Sequence, residues 1–139
     1  MAAINQVGEA SKSALAFTEL RSRFGGRSIV PDIAVFEWQR IPRQANGRID
    51  RKFEICPDWT IEIISPKPSP NPVIRKIIFC INQRAKLRWF IDPQDESVLL
   101  FQPARLPEVK YAPEKLPVLS VLGDWELSVA DLFAWLYVQ

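Results

Sequence analysis

Trp59-Thr60-Ile61-Glu62-Ile63-Ile64-Ser65-Pro66 is the stretch whose reading decides the fold. Ile61, Ile63 and Ile64 are β-branched, Trp59 is aromatic, and Pro66 halts any hydrogen-bonded ladder soon afterwards. A run this apolar predicts a strand covered on both faces, like the central strand of an α/β sheet. Its carboxylate is out of character there. An unpaired buried carboxylate is costly and tends to take up a proton. Glu62 therefore either points outward at a strand end and meets water, or faces a cleft and holds a metal ion. The stretch alone leaves both open.

Upstream of it, Ser28-Ile29-Val30-Pro31-Asp32-Ile33-Ala34-Val35-Phe36 is strand material interrupted by a Pro-Asp pair. A polar excursion from Gln39 to Pro57 separates the two segments and contains Asn46-Gly47, a strong turn signal. Its length suggests a functional loop or an added surface hairpin. Further upstream, residues 1–6 read as frayed. From Gly8 onward Ala14, Leu15, Phe17, Leu20 and Phe24 recur at roughly helical spacing until Gly25-Gly26, which predicts a helix with Glu9 in its first turn.

Downstream, Pro66, Pro68, Pro70 and Pro72 form a stiff connector. Val73, Ile74, Ile77, Ile78 and Ile81 then predict a second helix with Arg75, Lys76, Gln83 and Arg84 on its polar face. Leu87 to Pro93 reads as a strand, Gln94 to Ser97 as a turn, and Val98 to Phe101 as the hairpin partner. Residues 103–116 read as a loop with one short strand, Val118 to Leu122 as a further short strand, and Val129 to Tyr137 as a closing helix with Trp135 turned inward. The whole is one mixed α/β domain spanning residues 1–139, without repeat or linker.

The composition is that of an ordinary globular chain, with 47% hydrophobic and 24% charged residues. A net charge of +2 does not by itself announce a nucleic-acid or membrane partner. Lys12, Arg21, Arg23 and Arg27 cluster early, and Lys76, Arg84, Lys86 and Arg88 later. Such groups neutralise phosphates if they share a face and are otherwise solvated helix surface. No apolar run approaches the ~20 residues of a membrane span. With no signal peptide at the start, Cys56 and Cys80 are expected as buried thiols of a cytoplasmic protein. The chain has no histidine, which excludes histidine general bases, Ser-His-Asp triads and histidine-bearing zinc sites. Any catalysis falls to carboxylates, lysine, hydroxyls or a hard metal ion.

Asp32 and Glu62 both sit in apolar strand context. Two carboxylates projected from adjacent strands suit Mg2+ or Mn2+, which takes a couple of charged oxygens and keeps several waters. Such an ion polarises a phosphodiester and acidifies an attacking water, and a nearby lysine stabilises the developing charge. Asp50-Arg51-Lys52 matches an acidic-x-lysine pattern literally, yet it lies in the polar excursion, whereas a metal ligand belongs on a rigid element. Two positions after Glu62 stands Ile64 rather than lysine, so the lysine must come from elsewhere. Lys76 on the predicted helix is the first choice and Lys67 in the proline-rich connector the second.

Pro31-Asp32-Ile33-Ala34-Val35, Pro57-Asp58-Trp59-Thr60-Ile61-Glu62-Ile63-Ile64-Ser65-Pro66 and Trp89-Phe90-Ile91-Asp92-Pro93 occur in the order seen in the Uma-two family. The chain resembles this group of restriction-endonuclease-like proteins, within the PD-(D/E)xK nuclease superfamily, from Gly8 to Leu132–Leu136. The resemblance implies a mixed β-sheet flanked by helices and a divalent metal. It implies Asp32 and Glu62 as the metal ligands and Lys76 as the migrated lysine. It adds Glu9 as an auxiliary carboxylate, with Glu19 as the less favoured alternative. Cys80 stands where many members carry tyrosine, and the N-terminal part is short.

The leading expectation is thus a magnesium-dependent endonuclease acting on DNA. The alternatives are a catalytically weak, nuclease-derived nucleic-acid-binding module and an interaction protein, the latter a homodimer using Trp38, Trp125 and Phe133.

Overall fold

A computed structural model describes residues 2–24, 26–50, 52–64 and 85–137. The predicted proline connector and second helix, with Lys67, Lys76 and Cys80, lie outside the described residues.

The described chain opens with α1 (Ala2–Ser11), followed by β1 (Ala14–Thr18), β2 (Ser22–Phe24), β3 (Arg27–Ile29) and β4 (Ile33–Glu37). Beyond the polar excursion come β5 (Trp59–Ile63), β6 (Leu87–Asp92), β7 (Ser97–Phe101), β8 (Glu108–Tyr111), β9 (Lys115–Leu116), β10 (Leu127–Ser128) and α2 (Val129–Tyr137). Six of these strands form the main sheet in the order β1-β4-β5-β6-β7-β8. The β5–β6 pair is parallel, with Ile61 beside Trp89, and the other pairs are antiparallel. The expected mixed sheet with helices is therefore the observed fold, and the Glu62 segment is an interior strand of it.

Alternation along the strands divides the sheet into two buried faces. One carries Ala14, Ala16, Val35, Trp59, Ile61, Trp89, Ile91, Val98 and Leu100, and packs against Ile4 of α1 and Leu132 and Phe133 of α2. Trp59 and Trp89 meet edge to face at its centre, 4.6 Å between ring centroids. The other face carries Leu15, Phe17, Ala34 and Phe36, covered by Trp38 and by Ile41, Phe53 and Ile55 from the polar excursion. That excursion is thus an added hairpin as well as a lid. Arg43 bridges Ile49, and Gly47 turns the chain at a φ of 86°.

Several sequence expectations are corrected. The apolar run from Ala14 to Phe24 is strand, not helix. Ala14 and Ala16 serve one face while Leu15 and Phe17 serve the other, so neither face is polar and the period-2 signal disappears. Gly26, with φ 75°, turns β2 into β3 rather than ending a helix. The helix lies earlier, in the residues that read as frayed, with Ile4 buried and Asn5 clasping the edge strand: its amide accepts from Ala16 N at 2.7 Å and donates to Ala16 O at 3.3 Å. Val118 to Leu122 is not a strand. Residues 120–122 make a 3-10 turn, which sets Leu119 and Leu122, three apart, into the same core. The closing helix is as expected, with Ser128 and Asp131 in a reciprocal capping arrangement. Its buried stripe, however, is Val129, Leu132 and Phe133, and Trp135 falls off it at 48% exposure. Phe133 is buried and Trp38 and Trp125 pack partly into the cores, so these three serve packing rather than an open contact face.

Candidate functional site

β4 and β5 run antiparallel with Ile33 beside Ile61 and Val35 beside Trp59. One step further in that register sets Asp32 opposite Glu62. Trp59 and Ile61 serve the tryptophan-lined core, so Thr60 and Glu62 belong to the opposite face of β5. Glu62 is 7% exposed, and its neighbour Phe90 in β6 is also buried. The outward, water-facing reading of Glu62 is thereby excluded. Asp32 is exposed at the mouth of β4, where its Oδ2 accepts the Ile63 N–H at 2.8 Å. Pro31 before it is fully buried, which fixes the approach of the chain. The carboxylate is thus tethered by one oxygen, and among the described residues its Oδ1 takes no hydrogen bond.

Glu19 follows β1 directly, and its N–H donates to the Asp32 carbonyl at 3.3 Å. Its backbone, at a φ of 50°, leaves the extended conformation just past the last β1–β4 pair, Thr18 with Ile33. Glu9 is elsewhere. It lies in the last turn of α1, not the first, and the Gly8 carbonyl accepts from Ser13 at the other end of β1, where Ala14 pairs with Glu37. The helix that carries it packs on the tryptophan-lined face. Strand register thus sets Asp32 opposite Glu62, the backbone of Glu19 is bonded to that of Asp32, and Glu9 lies at the other end of β1. Among the described residues no group of three or more acidic or cysteine side chains gathers into a cation site.

The second Pro-Asp pair has a different task. Asp58 is buried, its Oδ2 accepts the Glu37 N–H at 2.8 Å, and its Oδ1 pairs with Arg40 at 2.6 Å. Its carbonyl accepts from both Lys86 and Leu87 at 3.0 Å, joining β4 to β6 at the end of the sheet away from Asp32. Asp50 is a loop residue whose carboxylate accepts the Lys52 N–H at 3.1 Å, which accounts for the literal but misplaced Asp50-Arg51-Lys52 match.

The basic residues separate as well. Lys86 pairs with Glu37, and Arg88 is fully buried, donating to the Leu87 and Pro57 carbonyls and to Cys56 Sγ. Arg88 therefore lies off any solvated basic surface, whereas Lys86 is exposed. Arg21, Arg23 and Lys52, by contrast, line one open cleft of about 310 Å³ with Phe53 and Glu54. Lys52 was legible only as part of the rejected motif. Its neighbourhood to Arg21 and Arg23 comes from a bridge between Ser22 and Phe53, which no sequence period signals.

The family model described as "Putative restriction endonuclease" (Uma2) matches residues 1–130. The chain belongs to the Uma2 family. This Uma2 chain is also similar to the solved "putative nuclease belonging to DUF820" from Anabaena variabilis ATCC 29413. The two are 44% identical over 97% of this chain and 76% of that one, with a TM-score of 0.92. Among curated proteins none matches it. At the level of the family, this Uma2 protein is nuclease-like. No described helix is long and apolar enough to cross a membrane.

Proposed function

We propose that this Uma2 protein is a metal-dependent nuclease that hydrolyses DNA phosphodiester bonds, with Asp32 and Glu62 holding Mg2+ or Mn2+. The observation that carries this reading is the opposition of the two carboxylates across β4 and β5, in a chain whose family is restriction-endonuclease-like. Their chemistry fits the ion: hard carboxylate oxygens, few in number, leave room for the waters magnesium retains. Bound there, the metal would polarise the scissile phosphate and lower the pKa of an attacking water.

The chain's own residues supply position. Glu62 rides on an interior strand bonded on both sides, and the Ile63 N–H holds the Asp32 carboxylate. Lys76, with Lys67 as the alternative, would support the attacking water and offset the charge that develops on the phosphate. Glu19, joined to Asp32 through the backbone, suits the auxiliary role better than Glu9.

The test is nicking of supercoiled plasmid with magnesium or manganese. Wild type is expected to cut only with metal. Loss of a second-sphere partner costs ~10–100-fold, so removing a direct ligand by Glu62→Gln should cost more than about a hundredfold. Metal-dependent cutting that survives Glu62→Gln would sink the assignment. Salt-sensitive DNA binding without cutting would instead mark a nuclease-derived binding module.

A further inference from the structure

The Arg21–Lys52 cleft gathers three cations in one place. Arg40 is partnered by Asp58, Lys86 by Glu37, Lys110 by Glu108 and Glu114, and Lys115 by Glu126, whereas Lys12, Arg48 and Arg105 take no ion pair among the described residues. Among the described residues, no such ion pair holds Arg21, Arg23 or Lys52. Their placement follows from alternation. Ser22 and Phe53 are buried and bridge each other in parallel, so the flanking residues 21 and 23 and 52 and 54 project outward. That parallel register sets Arg21 beside Lys52 and Arg23 beside Glu54. Like charges side by side across a strand pair are destabilising unless an anion lies between them.

The seat is rigid. The Arg23 N–H donates to the Phe53 carbonyl at 2.8 Å, and Phe53 packs between Phe17 and Phe36 with ring centroids 5.3 and 4.8 Å away. The cleft is also tied to the carboxylates. Arg21 is two residues from Glu19, and the β2–β3 hairpin it introduces returns through Val30 and Pro31 to Asp32. Glu54 lines the same cleft.

We propose that Arg21, Arg23 and Lys52 form a phosphate-tracking groove that seats the DNA backbone flanking the Asp32–Glu62 centre. This rests on the nuclease reading for its substrate but makes a separate claim, since the groove reads phosphates without metal. Arginine forks and a lysine point charge suit backbone oxygens and carry no base code.

The experiment is fluorescence anisotropy of a labelled DNA duplex, in EDTA, titrated from 50 to 200 mM NaCl. It compares wild type, Arg21→Ala/Lys52→Ala and the charge-retaining Arg21→Lys/Lys52→Arg. Each lost phosphate contact lowers the salt slope by about 0.9, so the alanine pair should lower it by about 1.8. Its affinity should fall about tenfold at the low-salt end, with the charge-retaining pair keeping the wild-type slope. An unchanged slope in the alanine pair overturns the groove and leaves the nuclease reading standing. A changed slope with no metal-dependent plasmid nicking upholds the groove and removes the nuclease reading. Wild type that fails to bind DNA overturns the groove.

Discussion

Asp32 and Asp58 each follow a proline and each open onto a strand, yet their surroundings give them opposite duties. Asp58 is buried and satisfies the Glu37 N–H and Arg40, whereas Asp32 is exposed and satisfies one N–H at a strand end. Removing a buried acceptor leaves its donor unsatisfied, so Asp58→Ala should cost about 1–3 kcal/mol. Asp32→Ala should cost less than about 1 kcal/mol, because water replaces the carboxylate at Ile63, while metal-dependent cutting is lost. Urea midpoints and plasmid nicking on the same two variants check this. Equal loss of stability would show that the two aspartates are not divided in this way. Nothing in the local sequence separates them, since the difference lies in which strand end each occupies.

The helices and edge elements are where sequence periodicity misled. α1 sits so close to the edge strand that a Cβ on Gly8 would lie 2.2 Å from the Ala14 carbonyl oxygen. In an open helix Gly→Ala gains about 1 kcal/mol, but here the obstacle is backbone that cannot swing aside. Gly8→Ala should therefore destabilise the fold by about 1–3 kcal/mol, seen as a lowered thermal midpoint. An unchanged or raised midpoint would mean that α1 does not dock on β1 as described. The same docking explains why residues 2–6 are ordered helix: Asn5 and Ile4 supply contacts that weak helical propensity does not. At the other edge, the Glu114 carboxylate accepts the Tyr111 N–H, which holds it below the usual glutamate range and closes the β8–β9 turn.

At the scale of the molecule, the parallel β5–β6 pair lies within the main core. Trp59 and Trp89 are both buried there, and the Trp89 ring N–H donates to Pro117 at 3.2 Å, tying the sheet to the chain that leads into α2. Trp89→Ala should cost about 3–5 kcal/mol, measurable by urea unfolding followed through tryptophan fluorescence. A cost near 1 kcal/mol would show that the site collapses readily and is not the centre of the core. Glu62, one of the two proposed metal ligands, stands on the other face of this same β5, so a strand of the main core also fixes it.

What the sequence by itself determined was the interior of the sheet. β-branched and aromatic runs at Ile33–Phe36, Trp59–Ile63 and Leu87–Ile91 can be accommodated only as covered strands, and the two carboxylates within or beside them stand out by their cost. The Uma2 motifs are carried by those same segments. Tertiary structure decided the rest. Ala14 to Phe17 is apolar on both sides, so helix and strand look alike until a partner strand and α1 claim the two faces. The backbone bond that ties Glu19 rather than Glu9 to Asp32, the different surroundings of Asp32 and Asp58, and the shared cleft of Arg21 and Lys52 depend on strand register. Register joins residues distant in sequence through backbone hydrogen bonds, which no local pattern of side chains encodes.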